Sequence, residues 1–470
     1  MKLLVDMQGA QNDSRFRGIG RYVNALLTHL IQAKSDNDVI LLLLNGELVD
    51  GESDVKTNFA PLLSPENILV WYPLTPTCWE NFDNFSRRMA SQAIRDWAIR
   101  EVSPDCVLIS SLFEGCGDNV VTSVATNDRP PIAVIFYDLI PFLYPDHYLG
   151  NAILRQWYAD RLSNLKKADC LLSISEASRQ DAIGYLGISG DRITNISSGI
   201  DTDLFQTAGA HWPDVAAKFG VPDHFLLYVG AADPRKNLEA LFRAFGRLST
   251  SEAGELSLIL IGRLSDDQIA GYQELIKTLA INSKSVFFVG HVSDGELIAF
   301  YRKAQVFVFP SFHEGFGLPP LEAMAAGCPV ITSNCSTFPE VVGIREAMFD
   351  PFSVESIASL MGKVICDAAF RDWLIQEQRS RVAMFSWGDV ATCAWIALRK
   401  LVTESTVTTS NYKIGRGALI EEVARQLQYA GAPLSNYLQA AQAIERTLGA
   451  FASLQEKGWQ RRTKSAKCPE

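Results

Sequence analysis

Long hydrophobic runs are missing from this sequence. Wholly apolar stretches such as residues 39–44 fall far short of the about 20 residues that a transmembrane helix needs, so no spanning helix is expected. A secretory leader is missing too. Lys2 is followed at once by the strand-like Leu3, Leu4 and Val5, with no apolar segment and cleavage site, and a cytoplasmic protein is expected. Cys-x-x-Cys pairs are absent, and the nine cysteines are odd in number and scattered. That pattern fits reduced thiols better than a disulfide framework or a zinc site. Nor is there a basic excess: 43 basic against 53 acidic residues give a net charge of -10. A general nucleic-acid binder is therefore not expected, although local basic patches can still meet phosphate or an anionic membrane. Residues 151–168, with Arg155, Arg161, Lys166 and Lys167, read better as a solvated helix with a basic C-terminal end than as a membrane dock.

What the chain does have is apolar material for sizeable cores, 47% hydrophobic residues in 470. The length fits two domains of about 200 residues with an appendage. Strand-like runs at residues 3–7, 39–44, 68–71, 106–109, 132–136, 170–174 and 193–197 alternate with helical patterns, and so do those at 225–229, 256–261, 286–289, 306–309 and 329–332. The alternation predicts an α/β protein with doubly wound parallel sheets. Residues 403–410 form a polar linker; 413–456 read as two helices broken at Gly431-Ala432-Pro433, and 457–470 as a polar, basic tail.

The most informative stretch is residues 311–327, Ser-Phe-His-Glu-Gly-Phe-Gly-Leu-Pro-Pro-Leu-Glu-Ala-Met-Ala-Ala-Gly. It follows a buried strand, and Pro319 and Pro320 suit a helix start with Gly327 as its stop. Glu314 then lies in the loop at the carboxyl end of a strand, and Glu322 in the first turn of the next helix. Both can face the crevice where open α/β sheets bind ligands, and the helix N-terminus suits a phosphate. A second site follows the strand at 225–229: in Gly230-Ala231-Ala232-Asp233-Pro234-Arg235-Lys236-Asn237, two adjacent cations stand where a helix running through Leu248 begins. Cations are disfavoured at that end of a helix, so an anion such as a diphosphate is expected beside Arg235 and Lys236. Near the N-terminus, Arg17-Gly18-Ile19-Gly20-Arg21-Tyr22 reads as a glycine loop just before a helix; a structural turn and a ligand loop remain equal alternatives for Gly18 and Gly20.

A glutamate, seven residues and a second glutamate, with Gly-Phe-Gly-Leu-Pro after the first, resembles the signature of retaining, nucleotide-sugar-dependent glycosyltransferases of family 4, over residues 1 to about 400. The resemblance implies a GT-B fold, two Rossmann-like domains facing a cleft: residues 1–205 on the acceptor side, 206–385 for the nucleotide sugar, a helix at 386–402 crossing back, a linker at 403–412 and a helical extension at 413–470. It implies that Glu314 and the backbone of Phe316, Gly317 and Leu318 hold the sugar, and that Glu322 takes the ribose. Arg235 and Lys236 would bind the diphosphate, Gly18 and Gly20 the diphosphate or acceptor, and Val292 the base. Some members place the arginine directly after the glycine, where this chain has Ala231. Family members commonly carry His-Asp where this chain has Tyr137-Asp138; the tyrosine cannot titrate near neutral pH, while Asp138 suits an acceptor-side or structural carboxylate. Asp201-Thr202-Asp203 formally matches a metal-binding Asp-x-Asp, but its setting matches the interdomain segment, and the resemblance to GT-B enzymes, which generally hold the diphosphate without a metal, implies no metal and no cofactor. The pattern looks most like bacterial mannosyltransferases of O-antigen, capsule or exopolysaccharide assembly. That suggests GDP-mannose and a lipid-linked glycan acceptor, peripheral contact at the inner face of the membrane or with an assembly complex, and a further transferase domain beyond residue 470. UDP-glucose, UDP-GlcNAc or dTDP-rhamnose donors, and a non-catalytic GT-B module, stay open.

Overall fold

The computed structural model describes residues 1–125, 129–248, 256–405 and 415–456. Seven strands of the first half, β1 (Lys2–Asp6), β2 (Val39–Asn45), β3 (Ile68–Trp71), β4 (Cys106–Ile109), β5 (Ile132–Phe136), β6 (Cys170–Ser173) and β7 (Ile193–Asn195), form one sheet in the order β3-β2-β1-β4-β5-β6-β7. The second half builds a six-stranded sheet, β10-β9-β8-β11-β12-β13, from β8 (Phe225–Val229), β9 (Ser257–Ile261), β10 (Val286–Gly290), β11 (Val306–Phe309), β12 (Val330–Ser333) and β13 (Met348–Phe349). Every pairing is parallel. Helices cover both faces of such sheets, which is why strands like Ile40-Leu41-Leu42-Leu43-Leu44 are apolar without alternation and fully buried. The strand order reverses between β1 and β4 and again between β8 and β11, and the loops leaving those four strands enclose the crevices.

The segment after 385 is the helix Trp387–Glu404, which returns to the first half and lies on the helix Gly18–Gln32. Trp395 Nε1 donates to the Leu30 carbonyl at 3.1 Å, and Trp387 meets Tyr22 edge-on at 5.2 Å. Two more helices, Arg416–Tyr429 and Leu434–Glu456, are not free-standing. The first packs along the helix Phe85–Val102 and the second along the edge strand β3, where Thr447 Oγ1 accepts from the Tyr72 amide at 3.0 Å and Phe451 meets Trp97 at 5.7 Å. Most of the linker and all of the tail, residues 406–414 and 457–470, lie outside the described residues. No helix among the described residues is long and apolar enough to cross a membrane.

Two local expectations are corrected. Gly18 and Gly20 are not a loop before a helix but its first turn. The turn Asp13–Phe16 presses against it so closely that a Cβ on Gly20 would lie 2.3 Å from the Arg15 Cα, which gives Gly20 a packing role, whereas Gly18 faces open space. The helix after Lys236 runs Leu238–Phe245 and stops short of Leu248.

Candidate functional site

The strand β11 ends at Phe309, and Ser311–Gly327 then folds as a glycine turn and a short helix, Leu318–Ala325. Gly317 takes the N-cap at φ +94°, a left-handed conformation that a side chain would strain, and no side chain caps the first turn. Because Leu318 and not Pro319 starts the helix, Glu322 is its fifth residue and stands in the second turn, one turn later than expected.

Glu314 leaves β11, and Arg235 and Lys236 leave β8, so the strand-order reversal brings all three together. Lys236 Nζ lies 2.6 Å from Glu314 Oε1 and Arg235 Nη1 2.7 Å from Oε2. Burial alone would raise the Glu314 carboxyl, but the two cations outweigh it and hold it at about 2. Burial drags the Lys236 ammonium below its ordinary value against the pull of Glu314, while Arg235, also partly desolvated, is driven up by the same carboxylate. Arg235 Nη1 further donates to the His313 carbonyl at 2.8 Å, and its Nε to the Tyr148 hydroxyl at 3.0 Å. The sequence pointed to three separate ligands. The structure makes them one buried cluster, two cations sharing the Glu314 carboxylate with Asp233 Oδ2 3.8 Å from Arg235, and an incoming anion would share those cations.

The first half closes onto this cluster. Ser175 donates to the Gly315 carbonyl at 2.6 Å, and Ser178 Oγ lies 3.1 Å from the same oxygen and 2.6 Å from the Tyr137 carbonyl. His313 Nε2 meets Asp181 at 2.9 Å, and Glu340 accepts from the Glu176 amide at 2.7 Å and from Asn195 Nδ2 at 3.0 Å. Asp138 sits beside Gly315 with Oδ1 accepting from the Ile140 amide at 2.9 Å; burial raises its carboxyl, opposed by that N–H and by Arg235. Tyr137 meets this turn through its backbone. Its hydroxyl donates to the Ser110 carbonyl at 3.0 Å, inside its own half, so only its backbone reaches the Gly315 turn.

On the other side of the helix Leu318–Ala325, Glu322 lines a cavity of about 340 Å³ with Leu318, Asp294, Arg21 and Tyr22 from the first half and Trp387 from the returning helix. Its Oε2 accepts from Tyr301 at 3.0 Å and its Oε1 lies 3.9 Å from Arg21, whose other nitrogen meets Asp294 at 2.7 Å. Burial raises the Glu322 carboxyl. Phe316 is buried against Phe385, and Val292 packs into the core of the second half and does not line this cavity. Asp201 caps the helix Thr202–Thr207 by accepting from the Leu204 amide at 3.0 Å. Among the described residues, no three His, Cys, Asp or Glu side chains gather as a metal-ligand set. Sequence reasoning missed Arg21, Ser175, Ser178, Tyr301 and the Asp181–His313 pair. Arg21 was within reach, as the second arginine of Arg17-Gly-Ile-Gly-Arg21; the others gain meaning only from contacts distant in sequence.

Residues 16–204 match the family described as Glycosyltransferase Family 4, and residues 216–381 that described as Glycosyl transferases group 1. The serotype-specific mannosyltransferase WbdA of Escherichia coli is 34% identical over 87% of this chain and 49% of its own length. The chain thus spans about half the length of that relative. O-antigen chain mannosyltransferase B of Escherichia coli is 30% identical over 55% of this chain and 67% of its own length. Among solved structures, Anabaena Alr3699/HepE in complex with UDP and glucose superposes with a TM-score of 0.61 at 16% identity, covering 85% of this chain and all of that one. The lipopolysaccharide-biosynthesis glycosyltransferase WaaG gives 0.57 at 14% identity over 86% of this chain and all of its own. With two parallel sheets that superpose on these structures and family matches over both halves, the chain belongs to the family 4, group 1 glycosyltransferases and has the GT-B fold.

Proposed function

We propose that this chain transfers mannose from GDP-mannose, with retention at the anomeric carbon, to a hydroxyl of a growing surface polysaccharide. The observation that carries the reading is the Glu314–Lys236–Arg235 cluster at the strand-order reversal of the second sheet, facing the loops of the first. The task is to stabilise an oxocarbenium-like sugar and a departing diphosphate together. Lys236 and Arg235 neutralise the diphosphate; the amides at the start of the helix Leu318–Ala325 add partial positive charge. Glu314, ionised at neutral pH, orients the sugar hydroxyls, and Glu322 accepts from the ribose in its cavity beside Arg21. Asp138, at the Gly315 turn, stands on the acceptor side. The bonds between Gly315 and Ser175 and between His313 and Asp181 draw the halves together and exclude water from the reacting centre. These residues need no metal for that chemistry. The choice of mannose rests on the relatives, one named a serotype-specific mannosyltransferase and another an O-antigen chain mannosyltransferase.

A second reading, a sugar-nucleotide-binding module without turnover, draws on Tyr137, whose hydroxyl is bound to Ser110. Thermal shifts with GDP, UDP, dTDP and their sugar conjugates, followed by transfer from radiolabelled GDP-mannose to α-mannosyl acceptors, separate the readings. Selective stabilisation by GDP and GDP-mannose with transfer supports the proposal, since a ligand at about 100 times its Kd adds about 2.7 kcal/mol. Stabilisation by UDP alone reassigns the donor, and binding without transfer supports the module.

A further inference from the structure

We propose that a second cavity, on the side of the cluster away from Glu322, is the subsite for a pyranose ring of the acceptor glycan; this rests on the transferase reading above. The cavity holds about 310 Å³ and is lined from the first half by the turns after β5, with Tyr144, Asp146, His147 and Tyr148, and from the second half by Arg235 and Phe312. That is the small end of the range for ligand sites, room for a sugar ring or two.

Its chemistry is that of a carbohydrate site. A pyranose offers a face of weakly positive C–H groups and a rim of hydroxyls; aromatic rings present a negative face to the first, and short polar side chains bond the second. Here Tyr144 stands edge-on to His313 at 6.3 Å, and His147 edge-on to Tyr148 at 6.1 Å. Phe312 stacks at 4.8 Å and 12° on Phe352, a ring left 79% exposed beside a buried core. Exposed Asp146 and His147 supply an acceptor and a donor among these rings. A lipid chain would leave these polar groups unpaired.

Position ties the cavity to the reaction. The guanidinium of Arg235 lines it and also pairs with Glu314 at 2.7 Å, so a sugar seated there abuts the donor sugar held by Glu314. The two halves each contribute walls, so the subsite is complete only when the cleft is closed, and acceptor binding favours closure.

The test uses α-mannobiose as the probe, GDP-loaded full-length protein, and the variants Tyr144→Ala, Phe312→Ala and Tyr144→Phe. Saturation-transfer NMR reads the sugar directly, and initial rates give the acceptor KM. The expected result is a clear mannobiose signal in the parent protein and Tyr144→Phe, and loss of it with at least a tenfold rise in acceptor KM in both alanine variants. The GDP-induced thermal shift and the KM for GDP-mannose stay unchanged. A parent protein that binds GDP but gives no mannobiose signal, or alanine variants that bind mannobiose as the parent does, overturn the subsite. Failure of the parent to bind any nucleotide falls instead on the transferase reading.

Discussion

Replacing Glu314 by glutamine isolates the cluster at the centre of the site. The change keeps the shape and removes one charge, leaving Lys236 and Arg235 buried without their shared carboxylate. The carboxyl sits at about 2 in the folded chain against an ordinary 4.5. That difference is worth ~3 kcal/mol at about 1.4 kcal/mol per pH unit, in line with the ~3–5 kcal/mol cost of breaking a buried pair. Because the folded value is depressed, this stability is fully present above the ordinary carboxyl value and is lost as pH falls through roughly 5 to 2. Glu314→Gln is therefore expected to lower the melting temperature of the second half of the ligand-free protein, a unit of domain size, by roughly 6–12 °C near neutral pH. It should also flatten the dependence of stability on acid. A diphosphate supplies the missing negative charge; if half of the lost energy returns on binding, GDP binds about tenfold more tightly to the variant. Transfer is abolished while the fold survives. Calorimetry, titration with GDP and a transfer assay measure all three. A variant with the parent's melting temperature, GDP affinity and turnover would refute the argument.

Lys236→Ala should weaken donor binding and lower kcat/KM by roughly 10²-fold, as loss of one charge-stabilising donor does; unchanged kinetics would remove it from the site. A Cβ on Gly315 would stand 3.0 Å from the Tyr137 carbonyl and 3.1 Å from Asp138 Oδ2. Gly315→Ala is thus expected to hold the halves apart and cut kcat roughly tenfold with GDP affinity kept; a fully active variant would show that this contact does not govern closure. Activity should persist in EDTA, and complete loss restored by manganese would overturn the metal-free mechanism.

The fold was legible because its signals are local. Fully buried parallel strands such as Ile40–Leu44 and Val306–Phe309 are apolar throughout, and the alternation of strands with helices dictates parallel sheets. Glu314, Arg235 and Lys236 could be singled out because each stands at a strand-to-helix turn. Their mutual pairing could not, since residues 235 and 314 meet only through the order of the strands. Ser175 caps its own helix by accepting from the Ser178 amide, which is a local role; its second role, a bond to Gly315, depends on how two sheets face each other. Burial decided the remaining difference. The Tyr137 hydroxyl takes the nearest carbonyl, Ser110, and no pattern along the chain announces that choice.

The backbone crosses between the two halves twice, near Ile200 and again near Phe385, and the Ile200 amide donates to the Phe385 carbonyl at 3.0 Å, pinning the two crossings to each other. Any rotation of one half against the other turns about that point, as a door turns on a single pin. The cavity beside Glu322 includes Gly199, Ile200 and Trp387 in its walls and lies at the pin, while none of these residues lines the cavity beside Tyr144 and Phe312. A given angle of opening therefore widens the Tyr144 side more than the Glu322 side. On the transfer reaction proposed above, extended glycan is expected to leave through the wide edge first and the spent nucleotide, held close to the axis, last.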